Sequence, residues 1–197
     1  LQKEVSVPRR FENCLFSGLV LLSTLALVSP AKADRDPCPS VGTVAVRDDG
    51  QRLVFTGEDP IEDGLCLVRF GENTRRLLFG FWAPIGPELD APRAALSELL
   101  SGGPGTTVTI REHVVTDSWV ETWERKDEEV VRLASGPRRA IRLERTMRLH
   151  GPTGFRANAS YWIDADTGVM LRATHRHIDG MRLPYRDIAI THLDTRG

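Results

Sequence analysis

Apolar and polar residues alternate with a period of two over most of the chain beyond residue 40, and that period predicts β-strands. It is clearest at 141–149, where Ile141, Leu143, Met147 and Leu149 share one face and Arg142, Glu144, Thr146 and Arg148 the other. Thr43–Arg47 and Leu53–Thr56 flank Asp48-Asp49-Gly50, and Leu65–Phe70 and Arg75–Trp82 flank Gly71-Glu72-Asn73, which predicts two hairpins. The period then changes. Pro92–Leu100 carries proline in its first turn, a stripe of Ala95, Leu96, Leu99 and Leu100, and Gly102-Gly103 behind it, so one short helix is predicted at about 91–101.

Strands resume at Thr107–Val114, Trp119–Arg125, Val130–Ala134, Ala140–Leu149, Arg156–Asp164, Val169–Arg176 and Tyr185–Thr191. Successive strands joined by short turns pair antiparallel. The predicted fold is mainly β: an antiparallel meander forming a curved sheet or half-barrel, with one short α-helix. One β-rich domain at 34–197 would hold N-terminal hairpins (34–82), the helix (91–101) and the meander (106–193).

The first 33 residues follow a different pattern. Pro8-Arg9-Arg10 leads into an apolar run from Leu15 to Val28, and Ala31-Lys32-Ala33 closes it. A basic region, a short apolar run and an A-x-A site predict a signal peptide cleaved near Ala33/Asp34, by the general or the twin-arginine route, and hence a periplasmic or secreted protein. The run is shorter than the roughly 20 residues a spanning helix needs, so no stable membrane anchor is expected after cleavage.

Cleavage changes the rest of the picture. Cys14 leaves with the signal, and Cys38 and Cys66 remain as one expected disulfide in an oxidising compartment. That bridge would close a loop of about 29 residues and stabilise by about 3–4 kcal/mol on chain-entropy grounds. Of the 26 basic and 27 acidic residues, Lys3, Arg9, Arg10, Lys32, Glu4 and Glu12 precede Asp34, so the remainder carries a net charge of −3. This balance argues against nucleic acid or an anionic membrane as the main partner.

No G-x-S-x-G, H-E-x-x-H, C-x-x-C or G-x-x-x-x-G-K-[ST] occurs, so the common hydrolase, metalloprotease, thiol-redox and nucleotide signatures are missing. Trp119, Glu121 and Trp123 fall on one face of a strand. An acid between two indoles reads either as a ligand-binding carboxylate, with Trp162 nearby, or as the partner of Arg145, which interrupts the apolar face of its own strand. His175 and His177, two residues apart on a strand, present both imidazoles on one face and could share a zinc with Asp179 or His113. Asp164 and Asp166 lie in a predicted hairpin turn, Asp164-Ala165-Asp166-Thr167-Gly168, and read as solvent-facing turn residues.

The C-terminal half resembles a module of exported bacterial proteins of unknown function. The matching pieces are Trp119 to Trp123, Glu128-Glu129-Val130, Ser135-Gly136, Ile141 to Glu144, and Tyr161-Trp162-Ile163-Asp164 with Thr167-Gly168. The likeness covers about residues 90–180, and it departs at Leu133-Ala134-Ser135-Gly136-Pro137, where the usual proline-glycine turn is altered. It implies a β-rich exported module and brings no catalytic residues. The closing Tyr161–Gly168 hairpin is also similar to that of periplasmic lipoprotein carriers, whose half-barrels enclose a hydrophobic cavity.

These readings converge on a non-enzymatic binding protein for a hydrophobic small molecule, lipid or envelope protein, with no cofactor and an apolar trough near Trp119 and Trp123. The alternatives are a metal-dependent hydrolase using His175 and His177, and a structural or assembly protein of the cell envelope.

Overall fold

Every strand among the described residues joins a single antiparallel sheet. The computed structural model describes residues 36–114, 117–151 and 154–195, side chains at 113, 114 and 117 excepted; the expected signal peptide and its cleavage site lie outside these residues. In chain order come β1 (Val44–Arg47), β2 (Arg52–Glu58), β3 (Leu65–Phe70), β4 (Asn73–Leu78), the helix α1 (Asp90–Ser101), β5 (Thr107–Val114), β6 (Asp117–Leu133), β7 (Gly136–His150), β8 (Phe155–Asp164), β9 (Met170–Gly180) and β10 (Ile188–Asp194). The ten-stranded order is β4-β3-β2-β1-β10-β9-β8-β7-β6-β5. The fold is mainly β, as the alternation predicts, with α1 the one helix among the described residues.

The sheet is curled. Laid flat, ten strands would set the edge strands β4 and β5 on the order of 40 Å apart. Instead Leu78 of β4 and Val108 and Ile110 of β5 belong to one buried cluster with Leu96 and Leu99 of α1. The helix links the two edges in sequence and fills the concavity between them. It ends where Gly102, in extended backbone, runs against Thr106: a Cβ on Gly102 would clash with the Thr106 side chain. Close approach, not a left-handed cap, is what that glycine serves. No described helix is long and apolar enough to cross a membrane.

A second buried cluster lies on the other face. Alternation divides adjacent residues between the two: Ile141 joins the first and Ala140 the second, and Tyr161 and Ile163 join the first while Trp162 joins the second. A bulge in β9 against Trp162 and Ile163 turns Leu171 to the Trp162 side as well.

Three element boundaries differ from expectation. Trp119–Arg125 and Val130–Ala134 are one strand, because the charged run between them stays paired with β7 through a bulge between Arg125 and Glu128. Strand β4 stops at Leu78, where Phe79 and Gly80 both take positive φ (51° and 76°) and fold Trp82 back onto Leu78. The strand expected from Tyr185 starts at Ile188 instead; where the ladder would continue, the His175 amide donates to the Asp187 carboxylate at 2.8 Å.

Cys38 and Cys66 are disulfide-bonded, with Cα atoms 5.3 Å apart. The bridge ties the first described residues to β3.

Candidate functional site

The inner face of β6 carries Trp119, Glu121 and Trp123, as a period of two requires. Across β7, Arg145 is the register partner of Trp123. The two charges meet inside the concavity. Arg145 donates through Nε to Glu121 Oε2 at 3.0 Å and through Nη2 to Oε1. Trp119 Nε1 donates to Oε1 at 2.6 Å, and Trp123 and Trp82 donate to Oε2 at 2.9 and 3.1 Å. Glu121 is 0% exposed, so these N–H donors replace its water. The Arg145 guanidinium also lies over the Trp123 ring, 5.0 Å from its centroid. Burial works against the Arg145 charge, but the Tyr161 oxygen and the Glu121 carboxylate outweigh it and hold its pKa above the ordinary guanidinium value.

From Arg145 the network runs toward one end of the half-barrel. Nη1 donates to the Tyr161 hydroxyl at 2.9 Å, and that oxygen lies 3.4 Å from His175 Nε2. The His175 ring stacks on Tyr185, with centroids 5.0 Å apart and planes 5° from parallel. Burial, and next the Arg145 charge, push the His175 imidazole below its ordinary pKa, with Asp187 opposing. His175 Nδ1 is buried with no hydrogen-bond partner; the nearest Asp187 oxygen is 4.0 Å away.

Glu112 is the residue that the sequence reading missed. It sits on β5 as the register partner of Trp119, only 7% exposed. Its Oε1 accepts the Gly86 amide at 3.3 Å, and its Oε2 is buried with no partner. Burial first, and the neighbouring Glu121 charge as well, raise its pKa above the ordinary carboxyl value. Such a carboxyl holds its proton to a higher pH than a free one, and its free oxygen is open to a hydrogen bond from outside the protein. The signal was in the sequence: Val108, Ile110 and Glu112 alternate as Met147 and Arg145 do.

These groups meet the surface at an aromatic rim. Trp119 stacks on Phe155 at 5.5 Å, and Phe155 lies 6.1 Å from both Tyr185 and His177. Tyr185 is 40% exposed and Ile85, beside Gly86, is 44% exposed. The indoles of Trp119 and Trp123 are themselves buried. They do not line an open trough, because Trp82, Phe81 and α1 pack into the concavity over them.

The remaining expected residues lie elsewhere. Trp162 points to the opposite face from Glu121, where its Nε1 donates to Glu129 at 2.8 Å and its ring lies between Arg142 and Arg172. His175 and His177 share the inner face, both engaged in ring contacts, and Asp179 pairs with Arg156 at 2.6 Å. No group of three or more His, Cys, Asp or Glu that could hold a metal occurs among the described residues. Asp164 corrects the sequence reading: it is 0% exposed, gripped by Arg138 at 2.7 and 3.0 Å and by the Thr167 amide and hydroxyl, both at 2.8 Å. Asp166 is the exposed one of the pair.

No protein-family model matches this chain, and no curated protein does. Among solved structures it is similar to the hypothetical lipoprotein YmcC from Escherichia coli, with 15% identity over 70% of this chain and 79% of that one, at a TM-score of 0.42. It is also similar to a candidate exported protein with a YmcC-like fold from Bacteroides fragilis, with 9% identity over 80% of this chain and 97% of that one, at a TM-score of 0.36.

Proposed function

We propose that this chain is an exported, non-catalytic binding protein that takes a hydrophobic small molecule at the open end of its half-barrel. Export rests on the basic, apolar and A-x-A pattern of the first 33 residues. Binding rests on one observation above all: a buried Glu112 carboxyl with an unpartnered oxygen beside a partly exposed aromatic rim. Apolar walls with a few placed polar groups are what small-molecule sites are made of. Tyr185 and Ile85 would contact the apolar body, and the free Glu112 oxygen would hydrogen-bond a polar group on it.

The Glu121–Arg145 pair is assigned a different task. Its hydrogen bonds are filled by the protein's own donors, so it supports the rim from below and does not contact the ligand. A titration with the neutral fluorescent probe N-phenyl-1-naphthylamine tests the reading. Saturable binding that weakens about tenfold in Tyr185→Ala, as expected for losing one buried aromatic contact, would support it. Equal binding by wild type and variant would place the site elsewhere. Native mass spectrometry of protein purified from its host separates this reading from an envelope-assembly role, which predicts a retained protein instead of a retained small molecule.

A further inference from the structure

The outer face of the sheet carries a groove of different chemistry. The groove, of about 460 Å³, lies across β5, β6 and β7. Its floor is set by register. Thr109, Thr122 and Thr146 are cross-strand partners in one row, and Arg111, Val120 and Arg148 form the next row. The row of hydroxyls thus runs beside two guanidiniums that flank a short valine. Neighbouring strands are about 4.8 Å apart, so the arginine Cα atoms stand about 10 Å from each other, and both side chains can reach one small ion above Val120. His150, two residues beyond Arg148, closes one end.

The arginines of this groove are unlike others on the same face. Arg142 pairs with Glu129 at 2.9 Å and Glu144 at 2.6 Å, and Arg156 pairs with Asp179 at 2.6 Å. Arg111 and Arg148 have no carboxylate partner among the described residues, and no acid lines the groove. Arg148 also lies directly opposite Arg156 in the β7–β8 register. Arg156 carries its own counter-ion in Asp179, so Arg148 is the uncompensated member of that pair. Guanidiniums grip tetrahedral oxyanions through paired N–H donors, and the threonine hydroxyls supply further donors.

We propose that this groove binds a small phosphate-class oxyanion between Arg111 and Arg148, with the threonine row as secondary donors. The source is a soluble ion or phosphomonoester, not a lipid headgroup, since residues 34–197 carry a net charge of −3 and repel an anionic surface.

Calorimetric titration of the full chain with inorganic phosphate, against chloride at equal ionic strength, tests this. The expected result is saturable phosphate binding that Arg111→Gln and Arg148→Gln each weaken at least about tenfold, the loss of one charge-assisted contact. Arg156→Gln, in the same row but already paired, should change it less than about twofold. All three positions are exposed, so an unchanged melting temperature verifies folding. Absence of saturable heat, or equal weakening by Arg156→Gln, overturns the proposal. So does co-sedimentation with phosphatidylglycerol vesicles by a chain that ignores free phosphate.

Discussion

Arg145 lies against both carboxylate oxygens of Glu121, and three indole N–H groups, from Trp82, Trp119 and Trp123, close around the same carboxylate. The pair draws together the turn after β4 and strands β6 and β7, so elements far apart in sequence share one polar centre. Removing either charge leaves the other buried without a counter-ion, at a cost of about 3–5 kcal/mol. Glu121→Gln and Arg145→Met should each lose about that much in urea denaturation. The double variant should lose clearly less than the sum, because Gln still offers the indoles an acceptor and no unpaired charge remains. Additive losses would contradict the pairing.

Asp164 shows the same logic at smaller scale. Burial raises its pKa, but the Arg138 and Thr167 hydrogen bonds outweigh burial and leave it below the ordinary aspartate value. A depressed carboxylate contributes stability above its unfolded pKa, and that contribution disappears as pH falls through the folded value. Asp164→Asn should therefore cost about 2–3 kcal/mol at neutral pH and progressively less in strong acid. Asp166→Asn, on the exposed side of the turn, should stay within about 0.5 kcal/mol.

His175 titrates with the same sign in a higher pH range. Its folded pKa is lowered by burial and by Arg145, so the unfolded chain takes up the proton first as pH falls. Stability drops from about the unfolded value of 6.5 downward and levels off below the folded value. His175→Gln should remove that part of the slope between neutral and mildly acidic pH, measured as melting temperature against pH. An identical slope in both proteins would show that His175 is not the group responsible.

How much of this was legible in the sequence depends on the kind of signal. Alternation at Ile141–Leu149 and around Trp119–Trp123 carried the strands, their faces and the inward placement of Glu121 and Arg145, because a period of two fixes a side chain's face. It could not carry Trp82, whose indole reaches Glu121 only through the turn at Phe79-Gly80. Nor could it show that α1 fills the concavity, which follows from the sheet's curl. Asp164 looked like any aspartate before a turn glycine. Its burial depends on Arg138, a residue of a neighbouring strand. Chemistry groups Trp162 with Trp119, although the alternation of Tyr161, Trp162 and Ile163 assigns it to the other face.

The Cys38–Cys66 bridge anchors the N-terminal arm to β3. Replacing both cysteines with serine, or reducing the bond, should cost about 3–4 kcal/mol by the loop-entropy estimate. For a domain of this size that is about a 10 °C drop in melting temperature. Calorimetry with and without reductant measures it directly, and an unchanged transition would mean that the arm contributes nothing to the stability of the sheet.

The most direct test of the account is a chemical-shift map of the isotope-labelled protein titrated with N-phenyl-1-naphthylamine. Binding at the open end predicts saturating shifts at Ile85, Glu112, His175 and Tyr185, with intermolecular NOEs to the Ile85 methyl and the Tyr185 ring. It also predicts no change on the outer face at Thr122 and Arg148. Shifts confined to the outer face, or no saturable shifts at all, would contradict it.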